Sequence, residues 1–188
     1  MDSNSTPIDA IQRALDAIDR SGASYAITGS WVVSAYGVLR ATHDLDVVIV
    51  FREEDAPRIA SAFPSPPYFY ADEEFIRESL AARTMFNVID GESTLKIDFW
   101  PLREDAYSQE QFRRRRRIEM SGRQVWALTP EDIILAKLLW IKFSDSERQW
   151  RDVESVWALK KADLDLNYLQ TWAARVSVAQ LLSRVINK

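Results

Sequence analysis

The spacing of apolar residues divides the chain into a first part that mixes helices with strands and a last part that is helical. Residues 8–18 carry apolar side chains at three- and four-residue intervals, which is typical of a helix. Residues 47–51 are instead a continuous apolar run, which favours a buried strand. Before residue 129 the pattern predicts, in chain order, a helix over 8–18, a strand over 25–28, a helix over 31–39, a strand over 45–51, helices over 54–63 and 72–82, and strand pairs over 84–89 with 93–100 and over 113–120 with 123–128.

A strong helix start marks the boundary between the two parts. Thr129 is a favourable N-cap, Pro130 suits the first helical position, and Glu131 and Asp132 place acids in the first turn. From there the chain is predicted to be helical in about four segments. We therefore expect an α+β fold, with a mixed β-sheet flanked by helices over 1–128 and a helical C-terminal subdomain over 129–188.

Three aspartates lie on two of the predicted strands, two at the start of one strand and one within the other. Asp44 and Asp46 point to the same side of their strand, and Asp98 is the lone acid of another strand whose opposite face is apolar. If the two strands are neighbours, the three carboxylates converge and repel each other unless a cation lies between them. Mg²⁺ binds a few carboxylates together with water and phosphate oxygens, so the pattern indicates a metal site for phosphoryl displacement. The alternative is a pair of surface carboxylates at a strand entry.

A glycine–serine pair lies between a predicted strand and the helix that follows it. Gly29 lets the backbone approach a ligand closely, and the helix start and the hydroxyl of Ser30 are suited to phosphate. The pair stands fourteen residues before Asp44, with a helix between them, which is more specific than an isolated Gly-Ser.

Taken together, these motifs resemble the polymerase-β-like nucleotidyltransferase superfamily, and the later segments are similar to bacterial nucleotidyltransferase-fold proteins near the AbiEii-type toxins. The similarity covers roughly residues 23 to 182. The residues that carry it are Gly29, Ser30, Tyr36, Gly37, Arg40, Thr42, Asp44, Asp46, Asp98, Lys137 and Asp152.

The resemblance implies a nucleotidyltransferase fold that transfers a nucleoside monophosphate from an NTP to an acceptor hydroxyl, with Mg²⁺ or Mn²⁺ as the cofactor. It implies that Asp44 and Asp46 bind metal, and that Asp98 binds the catalytic metal ion and helps to deprotonate the acceptor. The nucleotide-binding residues that it implies are Gly29, Ser30, Arg40, Lys137 and Asp152.

Several charged residues also have simpler interpretations. Lys137 lies in an apolar helical run and either extends to solvent or reaches a carboxylate or the triphosphate. Asp152 is a nucleotide-site residue or the structural partner of Lys137 or Arg148. The run 113–117 is all arginine and forms a solvated face or contacts RNA or nucleotide.

Composition and the N-terminal segment narrow the kinds of metal site and the cellular location that are expected. The 188 residues carry a formal net charge of −4 and no cysteine, which excludes disulfides and thiolate metal sites. Residues 1–10 lack the pattern of a signal peptide and no membrane span is predicted, so a cytoplasmic location is expected.

The expected partners are an NTP, an acceptor that is tRNA, protein or a small molecule such as an aminoglycoside, and a cognate partner protein in a toxin–antitoxin-like context. Two alternative functions stay open at this point. The first is a catalytically silent binding module, such as an antitoxin or partner subunit, and the second is an interaction protein that uses the arginine strand and the C-terminal helices.

Overall fold

The computed structural model of the chain describes residues 6–37, 42–144 and 146–187. Its helices and strands follow in the order α1 (Pro7–Arg20), β1 (Ser24–Thr28), α2 (Gly29–Ala35), β2 (Asp44–Val50), a 3₁₀ turn (Glu53–Asp55), α3 (Ala56–Ala62), β3 (Tyr68–Phe69), α4 (Glu73–Ala82), β4 (Phe86–Asp90), β5 (Lys96–Pro101), α5 (Ala106–Arg113), β6 (Arg116–Met120), β7 (Arg123–Ala127), α6 (Pro130–Phe143), α7 (Glu147–Lys160), α8 (Leu166–Arg175) and α9 (Ala179–Ile186).

In the described part of the chain the strands form one seven-stranded mixed sheet, in the order β3-β4-β5-β2-β1-β7-β6. The pairs β2–β5 and β1–β7 are parallel, and the other neighbours are antiparallel. The helices after residue 129 follow the last strand along the chain. The fold is therefore mixed α/β with a sheet flanked by helices, as the sequence predicts.

One face of the sheet is apolar and is covered by α1. Leu45, Val47 and Ile49 alternate along β2 and are fully buried on this face. Burial of side chains of this size contributes about 1.5–3 kcal/mol each, which holds β2 in a single register. The opposite face of β2 therefore presents its polar residues, Asp44 and Asp46.

Ion pairs fix the position of α1 across the sheet. Arg13 pairs with Asp90 at the end of β4, with 2.7 Å between its Nη2 and the carboxylate Oδ2. Farther along the helix, Asp16 and Asp19 both pair with Arg123 at the start of β7. Because β4 and β7 are the second and sixth strands of the sheet, these contacts place α1 across the strands between them.

A buried polar cluster attaches the C-terminal helices to the sheet. The side chain of Thr129 caps α6 by accepting a hydrogen bond from the backbone N–H of Asp132, as the sequence predicts. Tyr168 of α8 donates its hydroxyl to Asp132 at 2.6 Å, and the guanidinium of Arg114 lies 3.7 Å from the centre of the Tyr168 ring. The cluster thus connects α6, α8 and the turn that precedes β6.

Two local predictions are wrong. Residues 113–120 are predicted as one strand, but α5 extends to Arg113 and β6 begins only at Arg116. Asp105 caps α5 by accepting the backbone N–H of Ser108, and this cap starts a helix that apolar spacing does not indicate. The second difference is α2, which begins at Gly29 itself rather than after the Gly-Ser turn.

Among the helices in the residues that the structure describes, none is long and apolar enough to cross a membrane.

We predict that Tyr168→Phe destabilises the protein by about 1–3 kcal/mol, because the buried carboxylate of Asp132 loses a hydrogen-bond donor. Chemical denaturation followed by circular dichroism measures the change. The matched control is Tyr70→Phe, since Tyr70 is exposed. Equal stability of the two variants would contradict the assigned role of Tyr168.

Candidate active site

A row of polar side chains crosses the face of the sheet opposite to α1. Asp46 of β2 lies directly beside Asp98 of the parallel strand β5. Thr28 of β1 is opposite Asp46, and Asn87 of β4 is opposite Asp98. Paired residues of neighbouring strands point to the same face, so the row extends across four strands. The two strands are therefore neighbours, which is the condition that the sequence leaves open for the convergence of their aspartates.

Two further side chains hold these carboxylates. The ammonium of Lys96 lies 3.0 Å from Oδ2 of Asp98, and the indole N–H of Trp100 donates to Oδ1 of Asp46 at 3.3 Å. Lys96 and Trp100 each stand two residues from Asp98, so all three point to the same face of β5. Neither was predicted as a site residue, although alternation along 95–99 already places Lys96 on the face of Asp98.

Asp44 is set apart from the other two aspartates. It is exposed at the entry of β2, and its neighbour in register is Lys96 rather than Asp98. A displacement of two residues along a strand corresponds to about 6–7 Å. Among the residues that the structure describes, no group of three His, Cys, Asp or Glu side chains is arranged to hold a metal ion. The three carboxylates thus share one end of the sheet, but only Asp46 and Asp98 are direct neighbours.

The surroundings of Asp46 and Asp98 disfavour two negative charges unless a positive charge lies nearby. Burial raises the pKa of Asp46 above its ordinary value, the hydrogen bond from Trp100 opposes this, and the charges of Asp98 and Asp44 raise the pKa further. The hydrogen bond to Asp98 raises the pKa of Lys96, which keeps the ammonium charged.

One carboxylate oxygen of the site lacks a hydrogen-bond partner among the described residues. Oδ1 of Asp98 is buried and has no hydrogen-bond partner among the described residues. A buried polar atom without a partner costs free energy, so native structures seldom keep one without a reason. Since this oxygen lies on the row beside Asp46, the two carboxylates fit a hard divalent cation such as Mg²⁺.

Gly29 touches the carboxylate pair from the side of β1. Its φ is +68°, a left-handed backbone conformation, and a Cβ at this position would overlap the carboxylate of Asp46. Glycine is thus required for its backbone conformation and for the close approach. Ser30 follows in the first turn of α2 and is only 9% exposed. The structure brings Gly29 to the carboxylate of Asp46, where the resemblance places the phosphates, and Ser30 is the next residue along α2.

Lys137 and Asp152 form a buried ion pair between α6 and α7. The Nζ of Lys137 lies 2.7 Å from Oδ2 of Asp152, and it also donates to Oε1 of Gln149 at 2.9 Å. This is the structural pairing that the sequence leaves open as the alternative. Burial raises the pKa of Asp46, and the charge of Lys137 is among the smaller effects that oppose it, so Lys137 acts electrostatically on Asp46.

The arginine run 113–117 is divided between different surroundings. Arg113 pairs with Glu110 at 2.7 Å, while Arg114 joins the buried cluster around Asp132. The aromatic rings that lie under the last three guanidinium groups are Phe112 and Trp126 for Arg115, Tyr36 for Arg116 and Trp126 for Arg117. Cation–π contacts and ion pairs therefore account for much of the run, and contact with RNA or nucleotide stays a prediction. Arg40, the other predicted phosphate ligand, lies outside the described residues.

We predict that Gly29→Ala destabilises the protein by about 2 kcal/mol or more, because it adds steric overlap with Asp46 to left-handed strain of about 1–2 kcal/mol. Gly122→Ala is the matched control, since Gly122 has a φ of +80° but no atom within 4 Å of an added Cβ. Denaturant unfolding of both variants separates strain from overlap. Equal losses would show that the contact with Asp46 is unimportant.

We also predict that Asp46→Asn raises the melting temperature of the protein by a few degrees in metal-free buffer at pH 7. A raised folded-state pKa means that the stability associated with Asp46 is present at low pH and is lost as the pH rises through that pKa. Asparagine removes this loss and still accepts from Trp100. The gain should disappear near pH 4, about the ordinary pKa of aspartate. An equal gain from Asp163→Asn, at an exposed site, would contradict the assignment.

The chain was compared with known proteins at the level of sequence and of structure. No protein-family model and no curated protein sequence matches it. Among solved structures, the solution structure of the antibiotic-resistance factor ANT(2'')-Ia is similar at 15% identity and a TM-score of 0.55, over 96% of this chain and 97% of that one.

Two further structures are similar to the same extent. The crystal structure of ANT(2'')-Ia in complex with adenylyl-2''-tobramycin gives 14% identity and a TM-score of 0.58, over 90% of this chain and 96% of that one. The crystal structure of an antigenic nucleotidyltransferase-like protein from Paracoccidioides brasiliensis has 16% sequence identity and a TM-score of 0.52, over 98% of this chain and 93% of that one. Together with the mixed sheet and its carboxylate row, these likenesses show that the chain has a nucleotidyltransferase fold.

Proposed function

We propose that the protein is a metal-dependent nucleotidyltransferase that moves a nucleoside monophosphate from an NTP to an acceptor hydroxyl. The observation that carries the proposal is the in-register pair Asp46–Asp98, in which a buried oxygen of Asp98 has no partner among the described residues. This arrangement supports a cation at the end of the sheet where Gly29 contacts Asp46.

Carboxylates are the residues that would hold the metal. Asp46 and Asp98 are the first ligands, and Asp44 joins them from the strand entry, as the resemblance implies. When bound, Mg²⁺ or Mn²⁺ neutralises charge on the triphosphate and on the attacking and leaving oxygens. Two or three carboxylates are enough to bind Mg²⁺ or Mn²⁺, because water and phosphate oxygens complete the coordination of such ions.

The side chains then have separate tasks. The acceptor hydroxyl attacks the α-phosphorus and gives its proton to the carboxylate of Asp98, while the bond from the α-phosphorus to pyrophosphate breaks. Gly29 leaves room for phosphate beside Asp46, and Ser30 donates to the β- and γ-phosphates. Lys137, which is already paired with Asp152, acts as a fixed positive charge near the site. Arg40 is proposed as a phosphate ligand from the resemblance alone.

The acceptor is proposed by chemical class. One similar structure holds an adenylylated aminoglycoside, which makes a small polyhydroxylated molecule the first acceptor to test. A tRNA or a protein hydroxyl is the alternative, as is the toxin–antitoxin-like context that a relation to AbiEii-type toxins implies. A cytoplasmic site of action, where NTP and Mg²⁺ are abundant, belongs to the same proposal.

A second candidate function is a binding module that keeps the fold but performs no transfer. It is favoured by the two ion pairs of the site, because Lys96 neutralises Asp98 and Asp152 neutralises Lys137 without any ligand. Such a module would bind NTP or a partner protein without turnover.

A transfer assay with the full chain tests the proposal. The protein is incubated with Mg²⁺, each α-labelled NTP, and tobramycin, bulk tRNA or cell protein in turn. We expect label to enter one acceptor fraction, and Asp98→Asn to reduce the rate by about 10²-fold or more, because the proton acceptor and a charge ligand are lost.

The control variant for this assay is Asp163→Asn, which removes an exposed carboxylate outside the site and should transfer at the wild-type rate. Unchanged transfer by Asp98→Asn would overturn the assigned site. Binding of NTP with Mg²⁺ but no transfer to any acceptor would favour the binding module.

A further inference from the structure

Lys96 places a positive charge where the proposed metal would act. We propose that Lys96 is a built-in counter-ion that holds Asp98 in the absence of metal and competes with the metal for that carboxylate. The inference rests on the proposed function, because it concerns the same carboxylates. Lys96 is a positioning residue in this scheme, since it acts on the metal ligands.

Geometry places the ammonium of Lys96 among the carboxylates. Its Nζ lies 3.0 Å from Oδ2 of Asp98, and its backbone position is opposite Asp44 in the register of β5 with β2. The carboxylates of Asp98, Asp44 and Asp46 all stabilise its charge. The single ammonium therefore supplies part of the positive charge that the row requires.

The contact of Lys96 with Asp98 opposes the binding of a metal ion to the same carboxylate. A Mg²⁺ ion lies about 2.0–2.1 Å from each carboxylate oxygen that it binds. A metal ion on either oxygen of Asp98 would then lie within a few ångströms of the ammonium, where two positive charges repel strongly in a partly buried site. Metal binding to Asp98 thus favours the withdrawal of Lys96.

Lys96 is able to withdraw. Its side chain is 36% exposed, whereas that of Asp98 is 10% exposed, so solvent lies on the side of the lysine. A lysine side chain is flexible and carries a compact charge that moves into water at small cost. Asp98 has no such freedom and remains as the fixed partner.

The competition has a functional consequence. A site with its own counter-ion binds a free divalent ion weakly and keeps Asp98 oriented until the metal arrives. A metal that arrives with a triphosphate brings additional ligands and displaces the lysine more readily. We therefore infer that metal and nucleotide are loaded together.

Titration of Mn²⁺, followed by the electron paramagnetic resonance signal of the free ion, tests this inference without measuring transfer. The full-length protein is compared with Lys96→Met, which removes the charge at similar size, and with Lys96→Arg, which retains it. Lys161→Met is the matched control, because it changes the net charge equally at an exposed position outside the site.

We expect Lys96→Met to bind Mn²⁺ about tenfold more tightly than the wild type, which corresponds to ~1.4 kcal/mol. Lys96→Arg should stay close to the wild type, and Lys161→Met should not differ from it. Wild-type affinity for Mn²⁺ should rise when a non-hydrolysable NTP is present, and this rise should be smaller in Lys96→Met.

Thermal unfolding provides a second readout. In metal-free buffer Lys96→Met should melt below the wild type, because Asp98 loses its partner, and Mn²⁺ should raise its melting temperature by more than that of the wild type. Lys96→Gln replaces Lys96→Met if the latter does not fold.

The outcomes separate the two proposals. Wild-type binding of Mn²⁺ with equal or weaker binding by Lys96→Met would overturn the role of Lys96 and leave the proposed function standing. Absence of Mn²⁺ binding from every variant, with or without nucleotide, would overturn both.

Discussion

The register between β2 and β5 is the constraint on which the site depends. It sets Asp46 beside Asp98, on a face where burial already disfavours charge. Two neighbouring carboxylates are unfavourable alone, so the surrounding residues compensate for them. Trp100 donates to one, Lys96 pairs with the other, and the bare backbone of Gly29 makes the close contact with Asp46 sterically possible.

The apolar face of the sheet makes this arrangement stable. Leu45, Val47 and Ile49 are fully buried beneath α1, and a shift of one residue would exchange them with the aspartates. Burial of these apolar side chains therefore holds the two carboxylates side by side in the folded state.

Charge compensation recurs elsewhere in the fold. Asp90 is fully buried and is matched by Arg13, and Asp132 is matched by Tyr168, Thr129 and Arg114. In these clusters both oxygens of each carboxylate have protein partners, and the partners connect helices to the sheet. Asp98 differs, because one of its buried oxygens has no partner among the described residues. This difference separates a structural carboxylate from one that is suited to a ligand.

The sequence by itself determined the order of the elements apart from β3 and α5, the burial of β2, the cap at Thr129 and the strand face on which each of the three aspartates lies. These features depend on local spacing, which a sequence displays directly. Only the tertiary structure decided that Lys96 and Trp100 hold the carboxylates, that Lys137 pairs with Asp152, and that the arginine run 113–117 is divided between a helix, a turn and a strand. Alternation places a side chain on a face, but the residue it meets there depends on which strands are neighbours and on the cost of leaving a charge unpaired.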